Sequence, residues 1–323
     1  MRFVVYGAGG IGGVLGGRLF EHGHDVVLIA RGMHGQAIRD RGLVVESPDT
    51  TVTLRVDTVA TPDEVMWSDS DVVLLTMKSQ DTIDALDALV ELVDPSTPIV
   101  CVQNGVANER AALRRFSNVY GVCVMCPTSY LEDGVVQATS SPTTGIMDIG
   151  RYPSGIDELA TAVASAFNAS TYVSDARPDI MRAKYQKLLM NLGNAIEAAC
   201  GPSGRVGEIA TRAKDEGIAV LEAAGIDFAT DEEDVARRGN HLQMRPINGQ
   251  RRGGGSTWQS FARGTRSVET DFLNGEIVLL GREHGVPTPV NEMLQRVAHE
   301  LARTGAPPES MTHDDLIARL PSG

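Results

Sequence analysis

Positive charge is in short supply in this chain. Its 323 residues carry 29 Lys and Arg against 42 Asp and Glu, a formal net charge of −13. Nucleic-acid binding needs a basic footprint, so that class of partner is disfavoured. Small anionic ligands are not, because a local cationic pocket can sit in an acidic surface. Cysteine is scarcer still, at four residues. Cys101, Cys123, Cys126 and Cys200 are scattered or set in apolar runs and form no disulfide framework. Cys123-Val-Met-Cys126 has the C-x-x-C form that can carry redox chemistry. It overlaps Val119–Met125, which reads as a strand, and residues three apart on a strand face opposite sides. Two buried structural cysteines are expected. Metal-ligand spacing is lacking too: the seven histidines include His22 and His24 but no H-x-x-x-H or H-E-x-x-H. No metal is expected. No apolar run approaches the roughly 18 residues of a transmembrane helix. Phe3-Val-Val-Tyr6 runs at once into glycines, with no apolar signal-peptide segment. The expected location is the cytoplasm, with no membrane partner.

What is present is ordinary for a globular chain: 42% hydrophobic and 22% charged residues. At roughly 150 residues per domain the length suggests two. The 34 glycines cluster in part at specific turns. Strands and helices alternate through the first half. Phe3–Tyr6, Val26–Ala30, Val72–Met77 and Ile99–Val102 are short apolar runs of the parallel-strand type. Ile11–His22, Thr82–Val93 and Ala107–Arg115 read as helices between them. Val119–Met125, Val135–Thr139 and Gly145–Ile149 form a strand-rich tail, and the helix Ile156–Phe167 and strand Thr171–Val173 close it. The alternation predicts an α/β, doubly wound sheet. The pattern changes near Ser174, where Asp175-Ala-Arg-Pro178 is a turn with a proline suited to a first helical turn. Helical periodicities then cover 179–199, 206–225, 231–241, 257–284 and 290–303, with no convincing strand. The expected domains are 1–175, a Rossmann nucleotide-binding domain, and 176–323, all helical. Residues 244–256 form a Gly- and Arg-rich loop in which Gly253–Gly255 reads either as a lid hinge or as a plain loop. The last twenty residues read as a peripheral helix and a frayed end.

Gly7-Ala-Gly9-Gly10-Ile11-Gly12 matches G-x-G-x-x-G, after a strand and at the opening of a helix. That context gives the fingerprint its weight. Gly7 allows the tight turn, Gly9 lets the backbone approach a pyrophosphate seated on the helix N-terminus, and Gly12 permits close helix–strand packing. The residue at the end of the second strand separates NAD from NADP readers. Asp25 comes too early to hold a ribose hydroxyl. Arg31 stands where the strand runs out, and its planar guanidinium suits a 2′-phosphate. Lys78 and Gln103-Asn104-Gly105 follow two further strands, at the end of the sheet where ligands bind.

In the helical half, Lys187 and Asn191 are i and i+4 neighbours. Asn194 at i+7 falls about 20° from Lys187 on a continuous helix. One face then presents an amine and two amides beside Leu188, Leu189 and Met190. Such a stripe can line a site or simply face solvent.

Gly7-Ala-Gly-Gly-Ile-Gly12, Lys78, Gln103-Asn104-Gly105, Lys187-Leu-Leu-Met-Asn191, Glu269-Thr-Asp-Phe-Leu-Asn-Gly275 and His284-Gly-Val-Pro287-Thr-Pro289-Val-Asn291 resemble, in order, the landmarks of the ketopantoate reductases. The resemblance covers about residues 1 to 300. It implies a Rossmann domain followed by a helical one, and NADPH-dependent reduction of the 2-keto acid ketopantoate to pantoate, on the route to pantothenate. It implies that Lys187 protonates the carbonyl oxygen and that Glu269 helps place substrate and cofactor. Asn104 and Asn191 would hydrogen-bond cofactor and substrate, Ser256 would hold the substrate carboxylate, and Arg31 would read the 2′-phosphate. Two departures stand out. The family's second asparagine is here Ala195, with Asn194 one residue earlier. The serine-to-glutamate spacing is one residue longer, which leaves Thr257 as an alternative to Ser256.

Three functions follow for test. The leading one is an NADPH-dependent reductase of ketopantoate. The second is a paralogue acting on another 2-oxo or β-oxo acid. The third is a non-catalytic NADPH sensor. A homodimer is a possible assembly.

Overall fold

The computed structural model describes residues 1–202 and 207–320. The strands are β1 (Arg2–Tyr6), β2 (Val26–Ile29), β3 (Leu43–Glu46), β4 (Thr51–Leu54), β5 (Asp57–Val59), β6 (Asp71–Leu75), β7 (Ile99–Cys101), β8 (Val119–Met125), β9 (Thr128–Glu132), β10 (Val135–Ala138), β11 (Gly145–Arg151) and β12 (Tyr172–Val173). The helices are α1 (Gly10–Glu21), α2 (Gly32–Arg41), α3 (Thr82–Val90), α4 (Asn108–Leu113), α5 (Glu158–Ala169), α6 (Ile180–Asn191), α7 (Asn194–Cys200), α8 (Glu208–Ala223), α9 (Asp231–Arg238), α10 (Ser256–Ala262), α11 (Asn274–His284), α12 (Pro289–Thr304) and α13 (His313–Ile317).

Two compact units result. One holds Met1–Ala183 together with Asp231–Arg252, and the other Lys184–Thr230 with Gly253–Gly323. The sequence pattern puts the change near 175; the structure divides the chain inside α6 instead and returns 231–252 to the first unit. The reason is non-local. Arg237 of α9 reaches the buried carboxylate of Asp148 on β11, with Nε at 2.6 Å. Arg245 pairs with Asp49 at 2.7 Å, and Met244 bridges to Ser140. Helical periodicity marks a segment as helical but carries no information about which sheet its charges meet.

The first unit is built on an eight-stranded sheet in the order β12-β11-β8-β7-β6-β1-β2-β5. All neighbours are parallel except β8 and β11. β2, β6, β7 and β8 are buried along their whole length, which explains their unalternating apolar sequences. From β1 the chain moves to β2 on one side and later to β6 on the other. The switch point of this doubly wound sheet therefore lies at the carboxyl ends of β1 and β6.

A second sheet, β4-β3-β10-β9, is not foreseen in the sequence apart from β10. It explains why α1 carries glycine inside a helix, at a cost of about 1 kcal/mol each relative to alanine. A Cβ at Gly16 would lie 2.6 Å from Leu28 of the main sheet. Cβ atoms at Gly13 and Gly17 would each lie 2.8 Å from the second sheet, against Val136 and Val45. Bare backbone on both faces lets α1 fit tightly between the two layers.

Cys123 and Cys126 behave as separate structural thiols. Cys123 packs with Met125, Ile146 and Ile180, while Cys126 reaches the carbonyl of Thr144. Burial pushes the Cys126 thiol up to about 12, so it stays protonated near neutral pH.

The second unit has no strand among its described residues. α7 packs on α10 and α12, and α8 on α11 and α12. Its core includes Leu188, Leu189, Leu192, Ile196, Val220, Ile277 and Leu294. The expected helix 206–225 appears as Glu208–Ala223, with residue 206 outside the described residues. The expected helix 257–284 is two helices, parted after α10 by Gly264 at φ +67° and a 3-10 turn at Glu269–Phe272. A short peripheral helix, α13, is present, and residues 321–323 of the expected frayed end lie outside the described residues. Gly254 is buried and Gly253 exposed, and neither has room for a side chain: Cβ atoms there would lie 2.5 and 2.6 Å from the Trp258 indole.

Candidate active site

The turn after β1 is held from three sides. Gly7 has φ +103°, a conformation that favours glycine, and a Cβ there would lie 3.0 Å from the Met77 nitrogen. Thr76 Oγ1 donates within reach of the carbonyls of Tyr6 and Gly7, at 2.9 and 2.6 Å. His34, buried on α2, accepts from the Gly134 N–H at Nδ1 (2.9 Å) and therefore carries its proton on Nε2, which donates to the Ala8 carbonyl at 2.7 Å. Its ring also packs on Tyr130, centroid to centroid 4.2 Å. Thr76 and His34 thus position the Gly7-Ala8-Gly9 turn from the inside.

The outside of the turn is open. A Cβ at Gly9 would meet nothing within 4 Å. Gly9 is the N-cap of α1, no side chain caps it, and the first turn holds no acidic residue. The N–H groups of a bare helix start face space that an anion can fill. These residues fit the pyrophosphate of a dinucleotide.

The neighbouring strand ends carry the other expected cofactor residues. Arg31 is the N-cap of α2, its side chain 82% exposed and 3.1 Å from Asp81. Lys78 is the N-cap of the 3-10 turn after β6. Asn104 follows β7, and its carbonyl accepts from Asn108 Nδ2 at 3.2 Å. A buried polar network joins these two loops. Gln103 Nε2 donates to the Met77 carbonyl and to Thr82 Oγ1, at 2.9 and 2.8 Å. Thr82 donates to Asn108 Oδ1 at 2.9 Å, and Asn108 Nδ2 reaches Ser79 Oγ at 3.0 Å. His34, Thr76, Thr82 and Asn108 were not singled out from the sequence. Apart from Asn104, four residues before Asn108, their partners lie 21 to 100 residues away.

In the second unit, Lys187 is half-buried on α6, between the buried Gln186 and Leu188. Asn191 is the last residue of that helix and Asn194 the first of α7, both buried. The continuous helix expected over 179–199 is therefore interrupted at Leu192 and Gly193. Lys187 and Asn194 therefore stand on two helices and not on one. The cause is a side chain from elsewhere: Asn274 Nδ2 donates to the Leu192 carbonyl at 3.0 Å. Asn274 is fixed in turn by Asn291 Oδ1 at 3.0 Å, and Asn291 donates to Glu216 Oε2 at 2.9 Å. Glu216 also accepts the N–H groups of Val290 and Asn291, at 2.9 and 3.0 Å. Asn274 and Asn291 are buried. Leaving a buried polar group unsatisfied costs about 1–3 kcal/mol, so this chain of bonds holds the break firmly.

Glu269 opens the 3-10 turn and is buried. Asn274 and Gly275 of the same motif serve the fold, since a Cβ at Gly275 would lie 2.8 Å from Gln295. Ser256 begins α10. Its Oγ is shielded from solvent and has no hydrogen-bond partner among the described residues. That orphaned hydroxyl is the kind of group a bound carboxylate satisfies. Thr257 beside it is buried. No group of three His, Cys, Asp or Glu side chains among the described residues could hold a metal ion. No helix among them is long and apolar enough to cross a membrane.

Comparison with known proteins agrees in both halves. Residues 3–154 match the family model "Ketopantoate reductase PanE/ApbA", and residues 179–302 match "Ketopantoate reductase PanE/ApbA C terminal". The chain is 31% identical to the 2-dehydropantoate 2-reductase of Halobacterium salinarum over 320 residues, covering 94% of this chain and 100% of that one. It is 30% identical to the 2-dehydropantoate 2-reductase of Pyrococcus horikoshii over 302 residues, covering 91% and 95%. A PanE/ApbA family ketopantoate reductase from Ralstonia eutropha superposes with a TM-score of 0.78 at 28% identity, covering 94% and 99%. A D-mandelate dehydrogenase solved with NADH and anilino(oxo)acetate shares the fold at the same TM-score and 21% identity. Because both halves match one family in sequence, and the relatives are covered almost from end to end, the chain belongs to the ketopantoate reductases, a family of oxidoreductases.

Proposed function

We propose that this chain reduces ketopantoate to pantoate with NADPH, the hydride going to the keto carbon and the proton coming from Lys187. The observation that carries the reading is the open glycine turn at Gly9 in a chain whose second unit retains Lys187, Asn191, Ser256 and Glu269. When bound, the dinucleotide supplies the hydride. The chain's residues do the rest. The turn Gly7–Gly12 seats the pyrophosphate, and Lys78 and Asn104 flank it at the adjoining strand ends. The keto oxygen gains negative charge as the carbon is reduced. The Lys187 ammonium stabilises that charge and delivers a proton to it. Ser256 holds the substrate carboxylate, Asn191 and Asn194 contribute amides, and Glu269 helps place the substrate. In this reading the first unit is the NADP-binding domain and the second binds substrate. Homodimerisation and a cytoplasmic setting belong to the same proposal.

The test is the initial rate of NADPH oxidation with ketopantoate, beside a panel of other 2-oxo and β-oxo acids and with NADH as control. Ketopantoate is expected to have the highest kcat/KM. Cofactor oxidation with a different acid at higher kcat/KM would move the assignment to the paralogue reading. That second reading has its own support: Ala195 is buried where the family's second asparagine is expected, and Asn194 starts a separate helix. No oxidation with any acid, despite tight NADPH binding, would leave the sensor reading.

Cofactor choice is tested at Arg31. The Arg31–Asp81 pair is exposed, and such pairs contribute about 0–1 kcal/mol, so a 2′-phosphate can displace Asp81 at little cost. Arg31→Ala is expected to cut the preference for NADPH over NADH about tenfold or more, the scale of a charge-assisted hydrogen bond. An unchanged preference would remove Arg31 from the phosphate site.

A further inference from the structure

Gly253-Gly254-Gly255 leads directly into Ser256, the residue assigned above to the substrate carboxylate. Consecutive glycines lose more conformational freedom on ordering than other residues. The approach to Ser256 must therefore be held if its hydroxyl is to stay in one place. Part of the hold comes from α10. Gln259 Nε2 donates to the Gly254 carbonyl at 3.1 Å and the Gln259 N–H to the Gly255 carbonyl at 3.0 Å. Ser260 Oγ donates to the Ser256 carbonyl at 2.9 Å. The rest comes from Trp258. Its indole lies flush against two of the glycines, the benzene ring at Gly253 and the Cβ–Cγ root at Gly254.

An indole resting on glycine can turn about its side-chain bonds unless its far end is fixed. Here Trp258 Nε1–H donates to Glu309 Oε1 at 2.9 Å. Glu309 is exposed and takes φ +62°, in the left-handed region that glutamate seldom occupies. Two backbone bonds keep it there. The Glu309 N–H donates to the Ala198 carbonyl at 2.9 Å and the Met311 N–H to the Ala199 carbonyl at 3.0 Å, both near the end of α7. A residue kept in an unfavourable conformation by its surroundings points to a use for the place where its side chain stands. Ser256, Trp258, Glu309 and α7 all belong to the second unit. Glu309 lies past residue 302, where the match to the C-terminal family model ends.

We infer that Trp258 and Glu309 are positioning residues for substrate binding. The Glu309 carboxylate fixes the indole, the indole fixes Gly253–Gly255, and that loop sets where the Ser256 hydroxyl meets the carboxylate of the keto acid. This rests on the reading of Ser256 as the residue that holds that carboxylate. The pair acts on how the acid is held, and on neither hydride nor proton transfer, so its effect falls on KM and not on kcat.

The experiment compares wild type with Glu309→Ala, Glu309→Gln, Trp258→Phe, Ser256→Ala and the double variant Ser256→Ala/Glu309→Ala. Thermal melting checks that each folds. The Kd of NADPH is read by fluorescence titration, and kcat and KM for ketopantoate at saturating NADPH. Glu309→Ala and Trp258→Phe are each expected to raise KM about threefold to tenfold, the scale of a hydrogen bond to a charged acceptor partly open to solvent. Their kcat and NADPH Kd should stay within about twofold of wild type. Glu309→Gln keeps an oxygen for the indole N–H and should recover most of the loss. Ser256→Ala should raise KM about tenfold or more, and adding Glu309→Ala to it should cost less than about twofold more, because no hydroxyl is left to position. A KM within about twofold of wild type in Glu309→Ala, beside a large rise in Ser256→Ala, would overturn the inference alone. So would a loss that adds in full in the double variant, or one in which kcat, KM and NADPH Kd move together with the melting temperature. An unchanged KM in Ser256→Ala would overturn the reading of Ser256 itself, and the inference with it.

Discussion

Lys187→Ala is expected to lose about two to four orders of magnitude in kcat while binding NADPH as wild type does. That is the range of a general acid acting in the transition state. Reduction of a 2-keto acid places a full negative charge on oxygen within one step. Without a donor, that charge must be met by water or by neutral dipoles. Lys187 is on α6, the helix whose end the Asn274–Leu192 bond fixes, so its backbone is well anchored. Its flanking Leu188 is buried, and a half-buried ammonium in such surroundings is less screened than one at the surface. Lys187→Arg separates the two contributions of the side chain. Arginine keeps the positive charge but does not give up a proton under ordinary conditions. Partial retention of kcat/KM with a low kcat would show that the charge helps binding and that proton delivery needs the amine. Near-normal kcat in Lys187→Ala would show that another group is the acid. The NADPH titration has to accompany the kinetics, because a lost cofactor site would mimic a lost acid.

The first unit's main sheet was legible because its strands are short, apolar and separated by helical periodicity. Val119–Met125 is the same in sequence and structure, and the glycine turn falls where the fingerprint puts it. The second sheet escaped for physical reasons. β4 reads Thr-Val-Thr-Leu and has no buried residue, and β9 is exposed at Leu131 and Glu132. β3 and β10 pair in parallel across some ninety residues, so neither predicts the other. What did announce this sheet was the glycine spacing in α1, where Gly13 and Gly17 mark a second packed face. Five glycines in one short helix are costly unless the surfaces around it need them.

In the helical unit, the residues of the candidate site were legible but their geometry was not. Lys187, Asn191 and Asn194 share one face only on an unbroken periodicity, and the roles of Lys187 and Asn191 come from the family resemblance; the helix stops and restarts between the two asparagines. Gly193 was the only local sign. The decisive partner, Asn274, stands 82 residues away. The single helix expected over 257–284 failed in the same way, although Gly264 at the end of α10 was a local signal that could have been used. Periodicity registers which face is apolar; it does not register a side-chain amide that captures a backbone carbonyl. The positioning residues of the glycine turn, His34 and Thr76, were hidden for the same reason.

Gly9→Ala and Gly12→Ala are expected to fail in different ways, and the contrast tests whether the turn is built for a ligand. A Cβ at Gly12 would lie 2.1 Å from the Gly7 carbonyl oxygen and 2.3 Å from Thr76 Oγ1. Neither neighbour can yield cheaply, because Thr76 is bonded to that same carbonyl and Gly7 is pressed against Met77. The methyl group must push α1 off the sheet, and overpacking of this kind costs about 1–3 kcal/mol or more. Gly12→Ala should therefore melt several degrees lower and lose cofactor affinity together. At Gly9 the added methyl group meets no protein atom within 4 Å. The backbone there is extended, at φ −68°, which alanine adopts without strain. Gly9→Ala should fold and melt like wild type. Its methyl group, however, would stand where a pyrophosphate must come close to the helix N–H groups, so the NADPH Kd should rise about tenfold or more. Wild-type NADPH affinity in Gly9→Ala would mean that the open space beside Gly9 is not where the dinucleotide lies. Stability unchanged and affinity lost would mean that the absence of this one Cβ serves the ligand and not the fold.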